Sequence, residues 1–182
     1  PYSHLNERRD NWRKDFYDRF AAEAWKCETP SKAAEKLNTL VFETFGVSYH
    51  ATKRPKPDMS PYESIEAKYA SCTGLSIIYA DACRAVGLPA RLVGVPQWSK
   101  TPGNHNWAEI WDGQWWHVGS IGKDPRNGDW VTERCKTETD GSKPANSIYA
   151  AVFRRSAGLY FPMVWDFRSK YIPAINITGF YK

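Results

Sequence analysis

The chain has 182 residues, enough for one domain with a sizeable hydrophobic core. Its 42% hydrophobic and 25% charged residues argue against a disordered chain, and no apolar run approaches the ~20 residues that a membrane span needs. A net charge of +5 arises from 25 basic and 20 acidic residues, scattered apart from pairs such as Arg8-Arg9 and Arg154-Arg155, so nucleic acid is not an expected partner.

Taken in chain order, residues 1–27 predict a helix, with Leu5, Trp12, Phe16 and Phe20 at roughly helical spacing. Thr29-Pro30 is a capping residue followed by proline, and Ala33, Ala34, Leu37, Leu40, Val41 and Phe45 continue a second helical stripe that Gly46 closes. Residues 47–59 predict extended chain and loop. Ser60-Pro61-Tyr62-Glu63 is a capping box, which opens a short helix ending near Tyr69. Ser71-Cys72-Thr73-Gly74 opens another, with Leu75, Ile78, Tyr79, Ala82 and Val86 as its buried stripe and Gly87-Leu88-Pro89 as its stop.

The period then changes to that of strands. Residues 91–95, 105–111 and 115–118 predict three strands, the last two joined by a two-residue Asp112-Gly113 turn. Residues 120–147 read as a long surface loop, and 148–154 and 160–165 as late strands. Helices followed by an antiparallel sheet predict an α+β fold. The expected organisation is one domain over 1–182: a helical N-terminal extension (1–59), a core motif (60–120), and a loop with late strands (121–182).

Cys72 is the candidate nucleophile. It stands at a helix N-terminus, where unpaired amides and partial positive charge favour the thiolate. The competing reading is a packed structural cysteine, which suits mid-helix Cys83 better. The four cysteines, Cys27, Cys72, Cys83 and Cys135, form no CxxC pair, so neither a metal site nor a disulfide framework is expected. His105 is the candidate base, because helix, strand, loop and strand can return it to Cys72. Strand alternation places His105, Trp107, Glu109 and Trp111 on one face. Glu109 lies about 13 Å along the strand from His105, too far to orient it.

A two-residue turn would set His105 opposite Ser120, and a bulge would set it opposite Gly119. In the same register His117 faces Ala108, away from the His105 face. Trp98 and Trp107 are the candidate substrate-lining aromatics. Core filling is the stronger reading for Trp107, whereas the loop position of Trp98 gives cleft lining an equal claim.

Three stretches together, Ser71-Cys72-Thr73-Gly74, Asp81-Ala82-Cys83-Arg84-Ala85-Val86-Gly87-Leu88-Pro89-Ala90-Arg91 and His105-Asn106-Trp107-Ala108-Glu109-Ile110-Trp111, resemble the transglutaminase-like superfamily over about 60–120. The resemblance implies a papain-like α+β fold with Cys72 as nucleophile and His105 as base. The family's orienting aspartate would follow the strand after the hairpin, where this chain has Gly119-Ser120. Asp124 is the replacement candidate for the third member and Ser120 the other. A triad without its carboxylate loses orders of magnitude in rate.

The implied activity is acyl transfer on amide bonds without a cofactor, as a peptidase or amidase acting on a peptide, protein or glycopeptide. The alternative is a catalytically degenerate module that binds peptide or glycan. No DxDxDG-type loop is present, which argues against a calcium-activated cross-linker. The resemblance also favours a secreted or periplasmic setting. The start at Pro1 fits a piece of a longer chain with further domains, and Asn176-Ile177-Thr178 is a glycosylation sequon.

Overall fold

A computed structural model describes residues 7–118, 129–154, 158–162 and 166–182. The first helix, α1, is shorter than its periodicity suggests and spans Arg13–Ala24. Residues 1–6 lie outside the described residues, and 7–12 are irregular. Side-chain bonds compete with a helix there. Asp10 accepts from the Arg8 guanidinium at 2.7 Å and from the Tyr62 amide at 2.9 Å.

The second helix, α2 (Pro30–Phe45), begins and ends at its sequence signals. Thr29 accepts from the Lys32 amide, and Gly46 takes the left-handed conformation at φ 64°. After a two-residue strand, β1 (Ser48–Tyr49), helix α3 (Pro61–Ala67) starts in the expected capping box. It stops at Ala67, two residues before the expected end. Lys68 turns left-handed at φ 62°, and Tyr69–Ala70 leave as β2, parallel to β1.

Helix α4 (Cys72–Ala85) is the centre of the molecule. The Ser71 hydroxyl caps it by accepting from the Gly74 amide. Its burial exceeds the predicted stripe: Ser76, Ile77 and Asp81 are fully buried as well. The reason is that α1, α2 and α3 pack against α4 while the sheet covers it too. Phe16, Phe20, Leu37, Tyr79, Val93 and Trp107 share one continuous core, so the N-terminal helices are built into it.

The strands β3 (Ala90–Val95), β4 (His105–Trp111), β5 (Trp115–His117), β6 (Tyr149–Ala151), β7 (Leu159–Tyr160) and β8 (Pro173–Asn176) form an antiparallel sheet in the order β5-β4-β3-β6-β8-β7. The strand expected over 148–154 contracts to β6. The one expected over 160–165 shortens and shifts to β7, with residues 163–165 outside the described residues. The sequence pattern does not signal strand β8; Pro173 at its first position is one of the few places a strand tolerates proline.

The hairpin corrects the predicted register. Trp111 pairs with Trp115, so Asp112, Gly113 and Gln114 form a three-residue connection. Gly113 takes φ 74°, and the Asp112 carboxylate accepts from the Ser31 amide and hydroxyl of α2. That tertiary anchor, invisible locally, shifts the register by one. His117 therefore faces Glu109, not Ala108. Its ring meets Trp107 edge-on at 6.2 Å, on the His105 face.

The long loop expected over 120–147 is a second correction. It contains helix α5 (Asp129–Glu138) and a 3-10 turn (Pro144–Asn146). Val131 and Cys135, one turn apart, are the fully buried residues of α5, a stripe too narrow to stand out among its charges. A second 3-10 turn, Thr178–Tyr181, packs against α5. Among the described residues no helix is long and apolar enough to cross a membrane.

Candidate active site

Two element termini bring the predicted pair together. Cys72 is the first residue of α4 and is partly exposed. His105 is the first residue of β4, 7% exposed and paired with Val95. Burial pushes the Cys72 thiol up. The hydrogen bond to His105, the charge of His105, the Asn106 amide and the Thr73 hydroxyl pull it down, and together they hold it below the ordinary thiol range. The helix N-terminus acts in the same direction.

The two fully buried thiols, Cys83 and Cys135, behave differently. All four cysteines are free. Burial pushes both Cys83 and Cys135 up to about 12, which keeps them neutral and unreactive. The surroundings of Cys72, unlike those of Cys83 and Cys135, favour the nucleophilic form.

The imidazole of His105 is held by rings. Trp107 stacks on it at 5.9 Å and 24°, and Trp130 meets it edge-on at 5.4 Å and 83°. Trp130 in turn contacts Trp98 at 6.3 Å, and the Arg134 guanidinium lies over both indoles, 4.6 Å from Trp98 and 5.2 Å from Trp130. Trp107 and Trp98 are 0% and 2% exposed. Both are therefore packing residues behind the histidine and offer no open face to a ligand, whereas Trp130 is 39% exposed.

Asn106 ties the strand to the helix. Its amide reaches the Cys72 thiol, and its side chain donates to the Thr73 hydroxyl at 2.8 Å. Space for that side chain comes from Gly94 in the neighbouring strand: a Cβ there would sit 2.2 Å from the Asn106 carbonyl oxygen and 2.9 Å from the His105 carbonyl. This close approach is why a strand interior carries glycine here. Gly74 plays a similar part in the first turn of α4, where a Cβ would come within 2.9 Å of the Ala70 Cβ.

Beside the thiol opens a cavity of about 280 Å³, whose lining includes Tyr49, Arg54, Pro57, Cys72, Thr73 and Asn104. Glu109 takes no part in the pair. It is buried, accepts from Arg91 at 2.7 Å and from the Tyr181 hydroxyl at 2.6 Å, and so serves the sheet. The third-member candidates Asp124 and Ser120, with Gly119, lie outside the described residues. Among the described residues no cluster of three His, Cys, Asp or Glu is set to hold a metal ion.

Sequence reasoning singled out Cys72 and His105 but not Asn106, Thr73, Trp130 or Arg54. Asn106 and Thr73 each neighbour a predicted residue, and Gly94 inside a strand was the available signal for a close contact. Trp130 falls within 120–147, where the sequence pattern predicts loop.

The sequence profile described as the transglutaminase-like superfamily matches residues 18–120, more than half of the chain. That match begins well before the 60–120 stretch that carries the resemblance. Among solved structures, a crystal structure of a candidate cysteine protease from Cytophaga hutchinsonii is similar at 21% identity and a TM-score of 0.48. The similarity covers 65% of this chain and 39% of that one. No curated protein matches the chain.

Proposed function

The chain belongs to the transglutaminase-like superfamily, and we propose that it is a thiol enzyme acting on amide bonds, with Cys72 as nucleophile and His105 as proton shuttle. One observation carries this reading: the Cys72–His105 hydrogen bond beside an open cavity, in surroundings that lower the thiol pKa.

The chemistry follows from the pair. The Cys72 thiol passes its proton to His105 as its sulfur attacks the amide carbonyl carbon, and the carbonyl π electrons move to the oxygen. Amides at the start of α4 face that developing charge in the way helix N-termini favour. As the C–N bond breaks, His105 gives its proton to the leaving amine, and a thioester to Cys72 remains. His105 then takes a proton from water, whose oxygen attacks the thioester, so a carboxylic acid leaves and the thiol is restored. We favour hydrolysis, as a peptidase or amidase, on peptide, protein or glycopeptide substrates. In the fuller mechanism Asp124 or Ser120 orients the imidazole, and the Trp107 and Trp130 rings limit its rotation.

The test is the pH dependence of Cys72 alkylation by iodoacetamide, followed on the Cys72 peptide with Cys72→Ala as background. Rapid reaction well below pH 8.5 that slows in His105→Ala supports a working pair. Slow reaction at an ordinary thiol pKa, indifferent to His105, removes the catalytic reading and leaves a binding module.

A further inference from the structure

The geometry points to Arg54 as the residue that selects substrates bearing a carboxylate close to the scissile amide. This rests on the thiol acyl-transfer reading above and names the substrate class of that same cavity.

Arg54 shares the lining of the cavity with Cys72. Among the described lining residues it carries the one permanent charge, and no carboxylate accompanies it. The neighbouring cations are already engaged. Lys56 pairs with Glu63 at 3.0 Å, and Lys53 lies 4.4 Å over the Tyr69 ring and donates to its hydroxyl at 3.2 Å. The Arg54 Nε is closed off from solvent and has no acceptor among the described residues. A donor withdrawn from water without an acceptor is a standing cost, which a shift of the Arg54 side chain toward a carboxylate oxygen in the cavity removes.

The loop holds Arg54 in place for that purpose. The Lys53 amide donates to His50 Nδ1 at 2.8 Å, and the Arg54 amide to the Thr52 carbonyl at 2.9 Å. The Ser71 hydroxyl donates to the Pro57 carbonyl at 2.7 Å and also caps α4. The arginine loop and the nucleophile's helix are therefore fastened at one residue. A guanidinium matches a carboxylate with two parallel N–H···O bonds, a geometry that lysine cannot reproduce. The carboxylate can come from an acidic side chain or from a peptide C-terminus.

Iodoacetate and iodoacetamide test this, because they bring the same alkylating carbon to Cys72 with and without a carboxylate. The ratio of their rates at Cys72 is measured at low salt in the unaltered chain, Arg54→Gln and Arg54→Lys. We expect the iodoacetate-to-iodoacetamide ratio to fall about 3- to 10-fold in Arg54→Gln, the effect of one charge nearby in a partly solvated cleft. Arg54→Lys keeps the charge but not the two-bond fork and so retains only part of the ratio, between the unaltered chain and Arg54→Gln, and added salt lowers it in the unaltered chain. An equal ratio in all three, with iodoacetamide still reacting in a His105-dependent way, overturns the Arg54 assignment and leaves the thiol chemistry standing. Slow reaction with both reagents and no dependence on His105 removes the thiol chemistry and the assignment with it.

Protection of Cys72 from iodoacetamide then separates the two carboxylate sources. The probes are acetyl-Ala-Glu-Ala-amide, acetyl-Ala-Ala-Ala with a free carboxylate, and acetyl-Ala-Ala-Ala-amide. Protection by one or both anionic peptides that weakens in Arg54→Gln supports the assignment and identifies the source. Equal protection by the neutral peptide, or protection by none, overturns it.

Discussion

Two opposing influences meet on the Cys72 sulfur. Burial favours the neutral thiol, while His105, the Asn106 amide and the Thr73 hydroxyl favour the thiolate and prevail. A thiol pKa held down means that the reactive fraction survives below the ordinary range and is lost only as pH falls through the lowered value. In His105→Ala the largest contribution opposing burial is gone while the Asn106 amide and the Thr73 hydroxyl remain, so half-maximal alkylation moves to higher pH. Rate-against-pH curves for the two proteins check this. Coincident curves would show that His105 does not act on the sulfur. Cys72 and His105 were both legible in the sequence, because a helix-start cysteine and a strand-start histidine are local signals. Asn106 was not, because its contribution depends on a backbone amide meeting an atom 34 positions away in the chain.

Among the elements, the contact between the start of α4 and the start of β4 decides whether the pair forms. Gly94 sits under it. Gly94→Ala drives a Cβ into Asn106 and the His105 carbonyl. The expected cost is about 1–3 kcal/mol, as for other overpacked interiors, with slower Cys72 alkylation because Asn106 and His105 move together. Urea unfolding read alongside alkylation checks both parts, and a stability loss with unchanged alkylation would show that the strand shifts without disturbing the thiol. The hairpin shows where local reading stops. Asp112-Gly113 signals a two-residue turn, but Asp112 is pulled onto Ser31 of α2, and the loop takes three residues. One residue of slip places His117 on the His105 face.

Across the whole molecule, buried polar groups couple the ends of the chain to its centre. The Tyr181 hydroxyl accepts from the Trp107 indole at 2.9 Å and donates to Glu109 at 2.6 Å, linking the C-terminal turn to the strand that carries His105. Tyr181→Phe keeps the ring but strips a buried donor and a buried carboxylate oxygen of their partner. A loss of about 1–3 kcal/mol is expected, seen as a lower unfolding midpoint. An unchanged midpoint would mean that water replaces the hydroxyl.

Asp81 sits fully buried in the middle of α4, 3.2 Å from Arg84. Burial and the nearby Glu7 charge raise its carboxyl well above the ordinary range, and Arg84 only partly offsets them. A folded-state pKa raised above the unfolded value means that the native state binds more protons. Stability therefore falls as pH climbs from the ordinary carboxyl range towards the folded value. Asp81→Asn should flatten that decline, so its melting temperature gains on the unaltered chain as pH rises. Parallel melting curves across pH would place the titrating group elsewhere.

What local pattern could settle was settled early: the capped helix starts at Thr29, Ser60 and Ser71, the strand beginning at His105, and the α+β class. Caps, turns and hydrophobic period act between neighbours, so neighbours suffice to read them. The exact hairpin register, the helix over Asp129–Glu138, the burial of Trp98 and Trp107, and the place of Arg54 beside Cys72 came from packing. Each depends on groups far apart in the chain meeting in a crowded interior, where the fit of several elements at once outweighs any local preference.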